Sequence, residues 1–68
     1  MQLYRFLTGP DESSFCHRVT NALNKGWSLH GDPTYSFNQA ENRMQCGQAV
    51  IKLVEGKTYT PDTKLGEH

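Results

Sequence analysis

No apolar run in this sequence approaches the ~18 residues needed to cross a bilayer. The opening MQLYRF has neither the basic nor the apolar region of a secretory signal. Cysteine is scarce: two residues, Cys16 and Cys46, permit at most one disulfide. These absences predict a cytoplasmic location, free thiols and no membrane partner. Charge of one sign is missing as well, since seven Lys and Arg balance seven Asp and Glu, and the basic residues are scattered from Arg5 to Lys64. Nucleic-acid binding draws on a basic patch that neutralises phosphates, so no nucleic-acid partner is expected. There are no internal repeats and no low-complexity segments. Hydrophobic residues are few, 35% of 68. A chain this short makes one domain with a thin core, and such domains offset the deficit with disulfides, metal or oligomerisation.

What is present organises itself readily. Residues 2–8, QLYRFLT, predict a strand, with Tyr4 and Phe6 on one side and Leu3, Arg5 and Leu7 on the other. Gly9-Pro10 should break it. A helix is expected from about Asp11 to Lys25. Asp11 or Ser13 would cap it, with Asp11 and Glu12 at the positive end of its dipole. Phe15, Val19, Ala22, Leu23 and Gly26 share one helical face, and Gly26 stands where a left-handed C-terminal cap belongs. A second strand starts at Trp27, is interrupted at Gly31-Asp32-Pro33 as an edge or bulge, and resumes through Tyr35 and Phe37. The polar segment 38–43, NQAENR, predicts a hairpin loop. A third strand runs from Met44 to Val54, with Gly47 as a bulge or a point of close contact. Residues 56–68 are polar and aperiodic and read as a flexible tail, which leaves 1–55 as the domain.

The fold class expected is α+β. In the order β-α-β-β, a right-handed crossover leaves strands 1 and 2 pointing the same way. Strand 3 is the most apolar and belongs in the centre. That gives a three-stranded antiparallel sheet, order 1-3-2, with one helix packed on one face.

The blocks YRFLTG, FCHRV, ALN-x-GW and CGQA occur in this order at separated positions. With them the chain resembles, over roughly residues 3–54, a family of short bacterial domains of unknown function, domain-of-unknown-function family 1737. The resemblance implies a small stand-alone bacterial protein and supplies no activity and no catalytic residue.

Three groups of residues are candidates for chemistry. Cys16 and His17 are neighbours, but adjacent helix positions point about 100° apart and do not clasp one metal. Cys16 reads as a small packing residue and His17 as solvated. A zinc or small-molecule site on Cys16, His30 and Cys46 is the alternative, although the closely spaced ligand pairs typical of zinc are missing. A Cys-His nucleophile needs a hydrogen-bonded imidazole and a third orienting group, for which the sequence offers no local arrangement. Asp11-Glu12 reads as helix capping. No enzyme activity and no cofactor are expected.

The uncovered sheet face carries the leading functional expectation. If Ala49, Ile51 and Leu53 lie under the helix, alternation puts Met44, Cys46, Gln48, Val50, Lys52 and Val54 on the other side. A mainly apolar free face marks an interaction surface. Met44, Cys46, Val50 and Val54 are therefore the expected interface of a homodimer, formed through the face or an edge strand and able to receive a further protein partner. The competing arrangement has the tail cover this face through Tyr59 and Leu65. Trp27 is expected where helix and sheet meet rather than as a ligand-stacking ring. Tyr35 and Phe37 are candidates for an exposed aromatic patch.

Overall fold

Leu3, Arg5 and Leu7 alternate with Tyr4 and Phe6 along β1 (Gln2–Pro10), and the two sets meet different surroundings. A computed structural model describes all 68 residues. After β1 come helix α1 (Ser13–Asn24), β2 (Ser28–Asn38), β3 (Arg43–Leu53) and a 3-10 turn at Leu65–Glu67. The sheet order is β1-β3-β2, antiparallel throughout, with α1 on one face. This is the expected fold.

Element ends differ in instructive ways. Gly9-Pro10 does not stop β1, because β1 is an edge strand. Pro10 pairs with Gln45 there, and an edge position tolerates the missing N–H. Gly9 also gives room to Phe15, whose Cδ1 would lie 3.1 Å from an added Cβ. Helix α1 begins at Ser13 with Glu12 as N-cap and no side-chain cap bond; the Asp11 carboxylate instead accepts a hydrogen bond from the Tyr35 hydroxyl. At the other end the expectation holds. Gly26 has φ +96°, its N–H donates to Leu23, and the Trp27 N–H donates to Ala22. That pair of bonds is a Schellman cap.

The 38–43 hairpin closes as expected. Asn38 Oδ1 accepts from the N–H groups of Ala40 and Glu41, and Asn42 takes the positive φ of 53°. The irregularity in β2 is a real register shift between His30 and Thr34, with Gly31 at φ +73°. Gly47 is a point of close contact rather than a bulge. Register places Thr8, Gly47 and Thr34 side by side, and the Phe6 ring lies over the glycine.

The core is thin. Leu3, Leu7, Ala22, Trp27 and Val50 form the buried cluster, with Met1, Phe15, Val19, Val54 and Leu65 packed around it. The chain's radius of gyration is 13.5 Å, against about 11 Å for a compact domain of this length. Its accessible surface is 4951 Å², where roughly 4,300 Å² is usual for this mass. Helix α1 rests chiefly on β1, so no residue of β2 is fully buried.

Residues 56–68, read from sequence as a flexible tail, contribute to that core. Leu65 packs on it beside β1, and Lys52 Nζ donates to the His68 carbonyl. Met1 donates to the Val54 carbonyl and the Val54 N–H donates back to Met1, so the strand ladder runs one residue past β3.

Candidate functional site

The register decides which side chains the sheet leaves open. Leu3 pairs with Lys52, Arg5 with Val50, Leu7 with Gln48 and Gly9 with Cys46. All of these point to the helix side. The open side carries Tyr4, Phe6 and Thr8 from β1, Gly47, Ala49, Ile51 and Leu53 from β3, and Ser28, His30 and Thr34 from β2.

The expectation for Met44, Cys46, Val50 and Val54 is thereby corrected. Val50 is 0% exposed in the centre of the core. Met44 and Cys46 are half-buried on the helix side, and Val54 packs against the core margin. The reason lies in two polar residues that alternation had placed outside. Gln48 Nε2 donates to the carbonyl of Ala49 at 2.9 Å and of Gly31 at 3.3 Å, inside the β2 bulge. Lys52 Nζ donates to the Lys25 carbonyl at the end of α1, at 2.8 Å. Each is inward-facing because a backbone carbonyl accepts its polar end. Arg5 is accommodated similarly, its guanidinium stacked 5.6 Å from the centre of the Trp27 ring.

The open face that results is apolar along β1 and β3 and polar along β2. Tyr4 is 55% exposed, Phe6 48% and Leu53 68%, while Gly47 and Ala49 lie buried beneath them. Its charged residue, Arg43, is at the hairpin end and pairs with Glu41. The tail does not cover this face: Leu65 sits on the core side, and Tyr59 lies at the β1 edge beside Tyr4, itself exposed.

Both sheet edges are obstructed. At β1, Arg18 donates to the Thr8 carbonyl at 2.6 Å, and the tail lies along the Gln2–Tyr4 end. At β2, Pro33 and the bulge interrupt the row of backbone groups. Of the two routes to association expected from the sequence, the face is better formed than either edge.

The helix side holds the remaining candidates. Tyr35 and Cys46 are paired across β2 and β3, and Asp11 reaches both. The hydrogen bond to the Asp11 carboxylate raises the Tyr35 hydroxyl above its usual value, with smaller help from lost solvation. Lost solvation, then the nearby Asp11 charge, raises the Cys46 thiol. A nucleophilic or metal-binding cysteine needs the opposite shift. Cys16 is on this side too, exposed on α1. His30 pairs with Ala49 and faces the other way, so the sheet separates it from both cysteines. His17 is solvated on α1. No group of three or more His, Cys, Asp or Glu side chains converges anywhere in the fold. Trp27 is buried where helix and sheet meet, with its indole Nε1 unpaired, so its ring is not available to stack a ligand. Tyr35 and Phe37 are exposed, as expected, beside Leu29 on the uncovered half of the helix side.

The chain belongs to the family described as Domain of unknown function (DUF1737), whose model matches residues 1–53. No curated protein and no solved structure matches it. The sequence blocks that carry the resemblance have structural roles here. YRFLTG forms most of β1, FCHRV lies in α1, ALN-x-GW forms the Schellman cap, and CGQA supplies the Gly47 contact and the Gln48 tether.

Proposed function

We propose that this protein is a non-enzymatic interaction module that pairs with a second copy of itself through the open sheet face. The observation that carries the reading is the uncharged apolar surface that β1 and β3 give this face, formed by Tyr4, Phe6, Ile51 and Leu53. A second copy suits it because the one charge on the surface, Arg43, is paired with Glu41 and selects no oppositely charged partner, and the chain's formal net charge is zero. Three strands of nine to eleven residues make a face of roughly 10 by 30 Å between outer strand axes. That is well below the roughly 800 Å² per partner of a stable interface and belongs with weak, transient contacts, so the dimer exchanges with monomer and its population depends on concentration. A cytoplasmic setting accompanies this reading, supported by two cysteines that are both unpaired.

Light scattering after size exclusion, over a range of concentrations and with and without a chelator, tests it. The expected result is a dimer that dissociates on dilution, ignores the chelator, and is lost in Leu53→Glu and Tyr4→Lys without loss of the fold. A monomer at every concentration, or a dimer indifferent to both substitutions, refutes it.

A further inference from the structure

The bulge in β2 and the offset of α1 toward β1 leave a cleft of about 280 Å³ between α1 and β2. Phe15, Val19, Leu29 and Pro33 are its apolar walls, Cys16 and Thr20 lie on its helix side, and Gln48 forms part of its lining. No charged side chain contributes. Gln48 is the informative residue, at 6% exposed. Its Nε2 is committed to backbone carbonyls of Ala49 and Gly31, which sets the orientation of the amide. Its Oε1 then accepts from no group of the protein. The single side-chain polar atom both sealed from solvent and unpaired is Trp27 Nε1, so Gln48 Oε1 keeps access to the space beside it. A largely buried side chain that lines an apolar cleft, with its amide nitrogen tethered and its accessible oxygen lacking a donor, can serve as the polar anchor of a small-molecule site.

We propose that this cleft binds a small uncharged ring compound that presents an N–H or O–H donor to Gln48 Oε1. The size follows from the volume, which equals the liquid share of about nine waters and suits a one- or two-ring molecule. Neutrality follows from the uncharged lining. The site is independent of the open face and of any dimer formed there, because the two surfaces lie on opposite sides of the sheet.

Indole and indene, the same bicycle with and without the N–H, are the probes. Each is titrated into the full chain while backbone and side-chain amide NMR signals are followed. Indole is expected to shift Phe15, Val19, Leu29 and the Gln48 amide in a saturable way, and indene to bind about tenfold more weakly for want of one hydrogen bond. Gln48→Leu removes the acceptor but also releases the bulge, so Cys16→Trp is the cleaner variant. It fills the mouth from an exposed helix position and should abolish binding while leaving the melting temperature unchanged. Equal affinity for the two probes means apolar adhesion alone and overturns the proposal. So does the absence of a saturable shift with indole, and so do shifts centred on Tyr4 and Phe6.

Discussion

Replacing Gly47 by alanine tests the register on which the site rests. A Cβ at this position would lie 2.5 Å from Thr34 Oγ1 and 2.6 Å from Phe6 Cζ. Either atom would have to retreat by about 1 Å to reach ordinary contact distance. Thr34 is β-branched and has few rotamers to offer, so β2 must give way there, and the Phe6 ring must also leave the sheet surface. Overpacking of this kind costs about 1–3 kcal/mol. The alanine recovers roughly 0.5–1 kcal/mol that glycine loses in a strand interior. The net loss is about 1–2 kcal/mol, out of a total of roughly 3–10 kcal/mol for a domain of this length. Thermal unfolding should show it as a fall of about 5–15 °C, and urea unfolding as a lower midpoint with unchanged slope. Phe6→Ala in the same chain should relieve the ring's share of the clash and leave that of Thr34, giving a coupling of about 1 kcal/mol in a double-mutant cycle. A Gly47→Ala variant as stable as the parent would refute the reasoning. Phe6 would then not lie over the glycine, and a one-residue slip of β1 would exchange its covered and open faces.

Two further outcomes follow from the same geometry. Val50→Ala removes two methyl groups from the fully buried centre and should cost about 2 kcal/mol, whereas Leu53→Ala on the open face should change stability by less than about 0.5 kcal/mol; urea unfolding of the pair checks this. The Tyr35 hydroxyl donates to the Asp11 carboxylate, which favours the protonated phenol and raises its pKa above 10.0. The contribution of this bond to stability is complete from neutral pH up to 10.0 and is lost as the pH rises through the raised value. A spectrophotometric titration should show Tyr35 ionising late, and Asp11→Asn should bring its ionisation to lower pH.

Local signals accounted for most of the elements. Phe15, Val19 and Ala22 at helical spacing produced α1, and Gly26 after Lys25 produced its cap, because left-handed backbone is open to glycine at little cost. Gly31-Asp32-Pro33 marked the interruption of β2 for a similar local reason. Strand order was legible from the apolar content of Ala49–Val54, since a central strand is flanked on both edges and is the most sheltered of the three. The tail was less legible. Its contribution rests on Leu65, one apolar residue in a polar segment, whose neighbours in space lie sixty residues earlier.

The open face was misread because its deciding contacts are distant in sequence. Along β3, Ala49, Val50, Ile51, Leu53 and Val54 are all apolar, so hydrophobicity does not choose between the two alternations. The polar residues Gln48 and Lys52 then tip the choice toward placing Val50 outside. In the fold they point inward, held by a bulge eighteen residues away and by the helix end twenty-seven residues away. The same distance hid the cleft, which exists because α1 sits over β1 and leaves β2 uncovered.

The sequence by itself determined the elements, their order and the class of fold, because periodicity, caps and turns act within a few residues of chain. Tertiary structure alone decided which face of the sheet meets the helix, since that depends on where a buried amide and an ammonium group find acceptors. From that choice follow both the aromatic surface at Tyr4 and Phe6 and the unpaired oxygen of Gln48.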